Sequence, residues 1–178
     1  MFEGYNPGTS DFRTILTKAK GNRVDGIFMA PQSPDAALYL MQQIHDLGIS
    51  AKLFGNDVAG NQAAIAKAPE LYEGFILALP NFDEVNNPKT KQFANAYRNA
   101  YKTDVIPYGI WTAESYDAVY IMADALKKYG DDPEGIVGYL ENISGYQGAS
   151  GSITINERHD GVRQYSLKIV RQGKIEQY

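Results

Sequence analysis

An α/β fold with a parallel sheet follows from three features of this chain. The first is a β-α-β repeat: a strand-like run Val24–Ala30, a helix with a strong start signal, and a second strand Ala51–Gly55. The second is the loop Asn56-Asp57-Val58-Ala59-Gly60-Asn61, which opens directly from that second strand. Small, acidic, glycine-containing loops at the carboxyl ends of strands are where open α/β sheets receive ligands. The third is another strand, Glu73–Leu79, after a short helical stretch. Alternating strands and helices of this kind specify parallel pairing.

The elements follow in order. Met1–Tyr5 reads as the end of a strand, and Asn6-Pro7-Gly8 as a turn. Ser10 or Thr9 is expected to cap a helix whose Phe12, Ile15, Leu16 and Ala19 recur on one face. Ser33-Pro34-Asp35 starts the next helix, with a hydroxyl cap, proline in the first turn and an acid beside it. Ala37, Leu40, Met41, Ile44 and Leu47 form its buried stripe, and Gly48 ends it. Gln62–Lys67 forms a short helix that stops near Pro69, and Pro80 closes the third strand.

Beyond Pro80 the pattern changes. A polar segment, residues 81–88, precedes three helical stretches with no strand between them. The first carries Phe93, Ala96, Tyr97, Ala100 and Tyr101, and the second Tyr116, Val119, Tyr120, Ala123 and Leu126. The third begins Asp132-Pro133-Glu134 and is expected to bury Ile136, Val137 and Leu140. Three such helices need a sheet from elsewhere to cover them. Exposed apolar faces such as Phe93/Tyr97/Tyr101 would invite homo-oligomer formation. The tail returns to strands, with Ile153–Ile155, a turn at Asp160-Gly161, Tyr165–Val170, a turn at Gln172-Gly173, and a last strand to Tyr178.

Composition narrows the function. The chain has 178 residues, 44% apolar and 21% charged, enough for one ordinary domain or two small lobes. A net charge of −4, without a dense basic run, argues against nucleic acid and anionic membranes as partners. Cysteine is absent, which removes thiolate metal sites, disulfides and cysteine nucleophiles. No apolar run approaches the ~18 residues of a membrane span, and no signal peptide precedes Phe2. No cofactor loop is found. Gly145, Gly148 and Gly151 recur every third residue but lack the strand-then-helix context of a phosphate site.

Several segments together resemble the second half of a type I periplasmic solute-binding protein, closest to the branched-chain amino-acid group of ABC transporters. They are Tyr5–Phe12, Val24–Phe28 with Leu47-Gly48-Ile49, Gly55–Asn61, Glu73-Gly74, Glu114–Val119 and Tyr146–Thr154. The resemblance implies a type I periplasmic-binding-protein fold with three-layer α-β-α lobes and the ligand in an interlobe cleft. Residues 1–80 would belong to lobe two, 81–156 to the helices and crossover of lobe one, and 157–178 to strands returning to lobe two. It further implies that this is a C-terminal fragment. The front half would carry the secretion signal, the sheet of lobe one, and the Ser/Thr-rich loops that hold the ligand carboxylate. The expected role is the extracytoplasmic solute-binding component of an ABC transporter for amino acids or similar small polar solutes. It would be periplasmic or extracellular and membrane-associated, with a permease as partner and no catalysis.

On the same resemblance, Asp57 aligns with the acidic residue that pairs with the ligand's ammonium, and Asn56 belongs to its loop. The alternative for Asp57 is a helix-start acid that caps Asn61 or Gln62. Gln32 and Ser33 follow the first strand at the edge where the family places an aromatic or polar contact, although Ser33 also reads as a helix cap. Many relatives carry an aromatic at the Gln32 position, which argues against a purely branched-chain ligand. Tyr108 and Trp111 precede the long helix where an aromatic often covers the ligand; Trp111 also reads as core filler. Glu114, Asp117 and Glu134 are expected on solvated helix faces, and His45 and His159 are too far apart for a metal site or triad. Asn142-Ile143-Ser144 matches a glycosylation sequon. Two further readings remain: a ligand-sensing regulatory domain of the same fold, and an α/β enzyme using the strand-end carboxylate, for which no nucleophile–base pair is found.

Overall fold

A computed structural model describes residues 1–107 and 109–178. In chain order its elements are α1 (Arg13–Gly21), β1 (Gly26–Met29), α2 (Pro34–Asp46), β2 (Lys52–Gly55), α3 (Gln62–Lys67), a 3-10 turn (Pro69–Tyr72) and β3 (Ile76–Pro80). Then come α4 (Pro88–Tyr101), α5 (Ile110–Tyr129), α6 (Pro133–Glu141), β4 (Tyr146–Gly148), β5 (Gly151–Ile155), β6 (Gly161–Val162), β7 (Tyr165–Arg171) and β8 (Lys174–Gln177). The chain divides into two units, Met1–Leu79 with Ser166–Tyr178, and Pro80–Tyr165.

The first unit is a five-stranded sheet in the order β1-β2-β3-β7-β8. β1 runs parallel to β2, from Gly26 opposite Lys52 to Met29 opposite Gly55, and β2 runs parallel to β3. β7 and β8 form an antiparallel hairpin across Gln172 and Gly173, whose positive φ angles of 49° and 74° are those of the tight turn that matches strand twist. The β-α-β order of α2 between β1 and β2 is thus realised.

Sequence chemistry explains α2 directly. The Ser33 Oγ accepts the Ala36 N–H at 3.2 Å, Pro34 occupies the first turn, and Ala36, Ala37, Leu40, Met41 and Ile44 are buried. The start of α1 differs from expectation, since neither Thr9 nor Ser10 caps it. Gln43 of α2 replaces the cap: its Oε1 accepts the Phe12 N–H, and its Nε2 donates to the Ser10 carbonyl, each at 2.7 Å. A buried amide from a neighbouring helix thus satisfies backbone groups that a local hydroxyl usually satisfies. Residues 1–5 form no strand; Tyr5 instead packs edge-on against Phe12 at 5.0 Å. Phe12, Leu16, Met29, Leu40, Met41, Ile44, Ile65, Tyr72, Phe75, Leu77 and Val170 make one continuous core.

Among the described residues the second unit has no parallel strand pairing. Its helices pack on a small antiparallel sheet, β4-β5-β6, in which Tyr146 faces Ile153 and Thr154 faces Val162. Two small clusters serve as its core, one around Phe93, Ala113 and Ala149, the other around Ile121, Ile143 and Ile153. Three expectations are corrected here. Phe93 is buried, not part of an exposed face, because it packs against Phe82, Tyr97 and Tyr116. Val137, expected to be buried, is exposed. Asp117 is not on a solvated face: it is 2% exposed, on the inward stripe of α5 with Ala113, Ile121 and Ala125.

Among the described residues no helix is long and apolar enough to cross a membrane.

Candidate functional site

The loop after β2 is built by backbone and amide contacts. The Asn56 N–H donates to the Met29 carbonyl at 3.2 Å, which anchors the loop to the neighbouring parallel strand. The Asn56 Oδ1 accepts the Ala59 N–H at 3.0 Å, and its carbonyl accepts the Gly60 N–H at 3.1 Å, so the chain turns sharply. Asn61 then caps α3, its Oδ1 accepting from Ala63 and Ala64 at 3.0 and 3.3 Å. Two glycines let this loop press on the sheet. A Cβ on Gly60 would sit 2.1 Å from the Leu77 Cδ1, and one on Gly55 would sit 2.6 Å from the Phe75 ring and 3.0 Å from the Met29 carbonyl.

The result is a half-buried Asp57 at the carboxyl edge of the parallel strands. Its side chain has no hydrogen-bond or ion-pair partner among the described residues. Capping of α3, the alternative role for this acid, belongs to Asn61. A carboxylate held in place with open lone pairs is a ready acceptor for an ammonium or another strong donor.

The other candidates are placed as follows. Gln32 and Ser33 lie just past β1, on the same sheet edge, because Met29 and Gly55 are register partners. Both are exposed. The Ser33 hydroxyl oxygen is engaged in capping α2, whereas the Gln32 amide has no partner among the described residues. Trp111 stands in the first turn of α5, in the second unit, 39% exposed rather than fully buried. Tyr108 lies outside the described residues.

Other charged residues serve structure. Asp117 Oδ1 accepts the Ala149 N–H at 2.7 Å, and its Oδ2 accepts the Ser150 N–H at 2.7 Å and the Ser150 hydroxyl at 2.6 Å. Gly148 makes room for it, since a Cβ there would stand 2.3 Å from the Asp117 Oδ2. The signal was in the sequence: Asp117 is the one acid in an i, i+4 series Ala113, Asp117, Ile121, Ala125 of otherwise apolar residues. Glu114 pairs with Arg163, the Asp132 side chain caps α6, and His45 and His159 make exposed pairs with Asp46 and Glu141. Among the described residues no group of three or more His, Asp and Glu is placed to hold a metal ion.

Residues 2–174 match the family model described as periplasmic binding protein. The chain is 30% identical over 161 residues to the leucine-, isoleucine-, valine-, threonine- and alanine-binding protein of Pseudomonas aeruginosa, covering 90% of this chain and 42% of that protein. It is 29% identical over 176 residues to the Leu/Ile/Val-binding protein BraC3 of Rhizobium johnstonii, covering 97% of this chain and 46% of that one. Among solved structures, the leucine binding protein LivK of Thermotoga maritima superposes with a TM-score of 0.80 at 24% identity, over 98% of this chain and 49% of that chain. This chain therefore spans about half the length of the proteins it matches, or somewhat less.

Proposed function

This chain belongs to the periplasmic binding protein family, and on that premise we propose that it is part of a solute-binding component of an ABC transporter, outside the cytoplasm. Its ligand class is amino acids or similar small polar solutes. The observation that carries this reading is the Asp57 carboxylate, half-buried at the strand ends, unpaired, and released from helix capping by Asn61. The names of the Pseudomonas and Rhizobium relatives, which bind leucine, isoleucine and valine, support the same class.

In this reading Asp57 takes the ligand's ammonium in a charge-assisted hydrogen bond. Asn56 holds the loop that presents it. Gln32 and Ser33 offer polar groups on the same edge. Gln32 favours a ligand with a polar group over a purely aliphatic side chain. Residues 1–80 with the returning strands make one lobe, and residues 81–156 contribute to the other. The task is binding and hand-over to a permease, without bond-making chemistry.

The test is an NMR titration of the chain with L-leucine and with its deaminated analogue 4-methylpentanoate. Resonances of residues 56–61 are expected to shift saturably with leucine, not with the analogue, and not in Asp57→Ala. Equal shifts with both compounds, or an unchanged response in Asp57→Ala, would overturn the assignment. So would silence of this loop toward every amino acid in a panel.

A further inference from the structure

A recess lies wholly within the second unit, remote in sequence from Asp57. It is a cavity of about 140 Å³ lined by Phe93, Tyr116, Tyr120 and Tyr146, with Asp117 in its wall and Lys89 also lining it. Three of the rings form a continuous series. The Phe93 and Tyr116 centroids are 5.0 Å apart, and those of Tyr116 and Tyr120 are 4.7 Å apart.

The charge beside these rings is unusual. Asp117 is 2% exposed, and each of its hydrogen-bond donors is neutral: two backbone N–H groups and a serine hydroxyl. Among the described residues no Lys, Arg or His forms an ion pair with it. No full positive charge therefore faces this carboxylate among the described residues.

Tyr116 is pushed up to about 12, first by its hydrogen bond with Tyr120, then by burial and by the nearby Tyr120 and Asp117. Tyr146 is raised by burial first, then by Asp124 and Asp117. Tyr116 and Tyr146 therefore stay neutral at physiological pH, with their negative π faces intact. Aromatic faces beside an uncompensated carboxylate attract a weakly hydrated cation and repel an anion.

We propose that this cavity is a binding site for a small organic cation of the alkylammonium class, seated among the rings of Phe93, Tyr116, Tyr120 and Tyr146 within the field of Asp117. Lys89 works against such a ligand, which gives the idea a sharp signature. Removing its charge must strengthen binding, whereas an anion-binding pocket would weaken.

The probe is tetramethylammonium chloride, followed through the ring protons of Tyr116, Tyr120 and Tyr146 in the intact chain. Saturable shifts at these rings are expected. Lys89→Gln should tighten binding by roughly threefold, the effect of one charge several ångströms away in a watery rim. Tyr120→Ala should weaken it by about tenfold, and Tyr120→Phe, which keeps the ring, should largely restore it. Tyr101→Ala, an exposed tyrosine outside the cavity, should change nothing. Neutral tert-butanol should bind far more weakly than the cation. The proposal is overturned by absent shifts, by tert-butanol matching tetramethylammonium, by weaker binding in Lys89→Gln, or by shifts confined to residues 56–61. That last result would place the cation at Asp57 instead.

Discussion

The two units solve the problem of burying helices in different ways. In the first, residues 1–79 and 166–178, parallel strands supply a broad apolar platform, and one continuous core runs from Phe12 to Val170. In the second, residues 80–165, a small three-stranded antiparallel sheet offers less, and the core breaks into two small clusters. Helix α6 buries none of its residues fully, and α5 leaves Val119 68%, Leu126 46% and Met122 41% exposed. The lesson is geometric. A helix buries a whole stripe only when a surface as wide as that stripe faces it. The second unit compensates with polar staples: Asp117 onto the β4–β5 turn, the Thr90 hydroxyl onto the Ala149 carbonyl at 2.6 Å, and a two-pronged Arg98–Glu84 pair.

Four experiments test that contrast. The largest effect is expected from Phe75→Ala. Its ring is 1% exposed in the continuous core, and truncation should destabilise the first unit by about 3–5 kcal/mol in denaturant unfolding. A loss below about 1 kcal/mol would mean that this core is not close-packed.

Asp117→Ala comes next, and it tests the polar counterpart. It strands two N–H groups and a hydroxyl, so the second unit should lose roughly 3 kcal/mol, seen as early hydrogen exchange at Ala149 and Ser150. Unchanged exchange at these two amides would deny Asp117 its role as a staple.

The third concerns alkaline pH. Burial pushes Tyr72 up to about 12, and its hydroxyl is buried with no hydrogen-bond partner among the described residues. Between pH 10 and about 12 the unfolded chain therefore releases this proton before the folded one does, so stability falls as pH rises through that window. The loss should total about 2–3 kcal/mol. Tyr72→Phe should remove that slope and be at least as stable at neutral pH, since an unsatisfied hydroxyl disappears. A slope that survives in Tyr72→Phe assigns the effect to other tyrosines.

The smallest effect is the complement of the first. Val119→Ser and Leu126→Ser alter exposed apolar residues of α5, so each should change stability by no more than about 0.5 kcal/mol. A loss above about 1.5 kcal/mol would show that this face is covered in solution, and the two units would then resemble each other more closely.

Much of the fold was legible along the chain because its causes are local. The start of α2 at Ser33-Pro34, the stop at Gly48 and the hairpin at Gln172-Gly173 depend on groups within one turn of each other. The loop at residues 56–61 was legible as a ligand edge for the same reason: a strand, small residues, an acid and a helix follow in immediate succession. What stayed hidden was long-range. Gln43 replaces the α1 cap from 31 residues away, and Asp117 reaches its partners across 32 and 33 residues. The short strands β4 and β6 escaped because pairing with β5, not their own composition, makes them strands.

Periodicity, capping residues and turn chemistry, all readable from the chain itself, determined which segments are helices and strands and where the acidic loop falls between them. Which faces are covered, that Gln43 stands in for the cap of α1, and that Asp117 is interior were settled by packing between distant segments. The physical reason is that propensity acts over a few residues, whereas burial and hydrogen-bond satisfaction are settled only when distant segments meet.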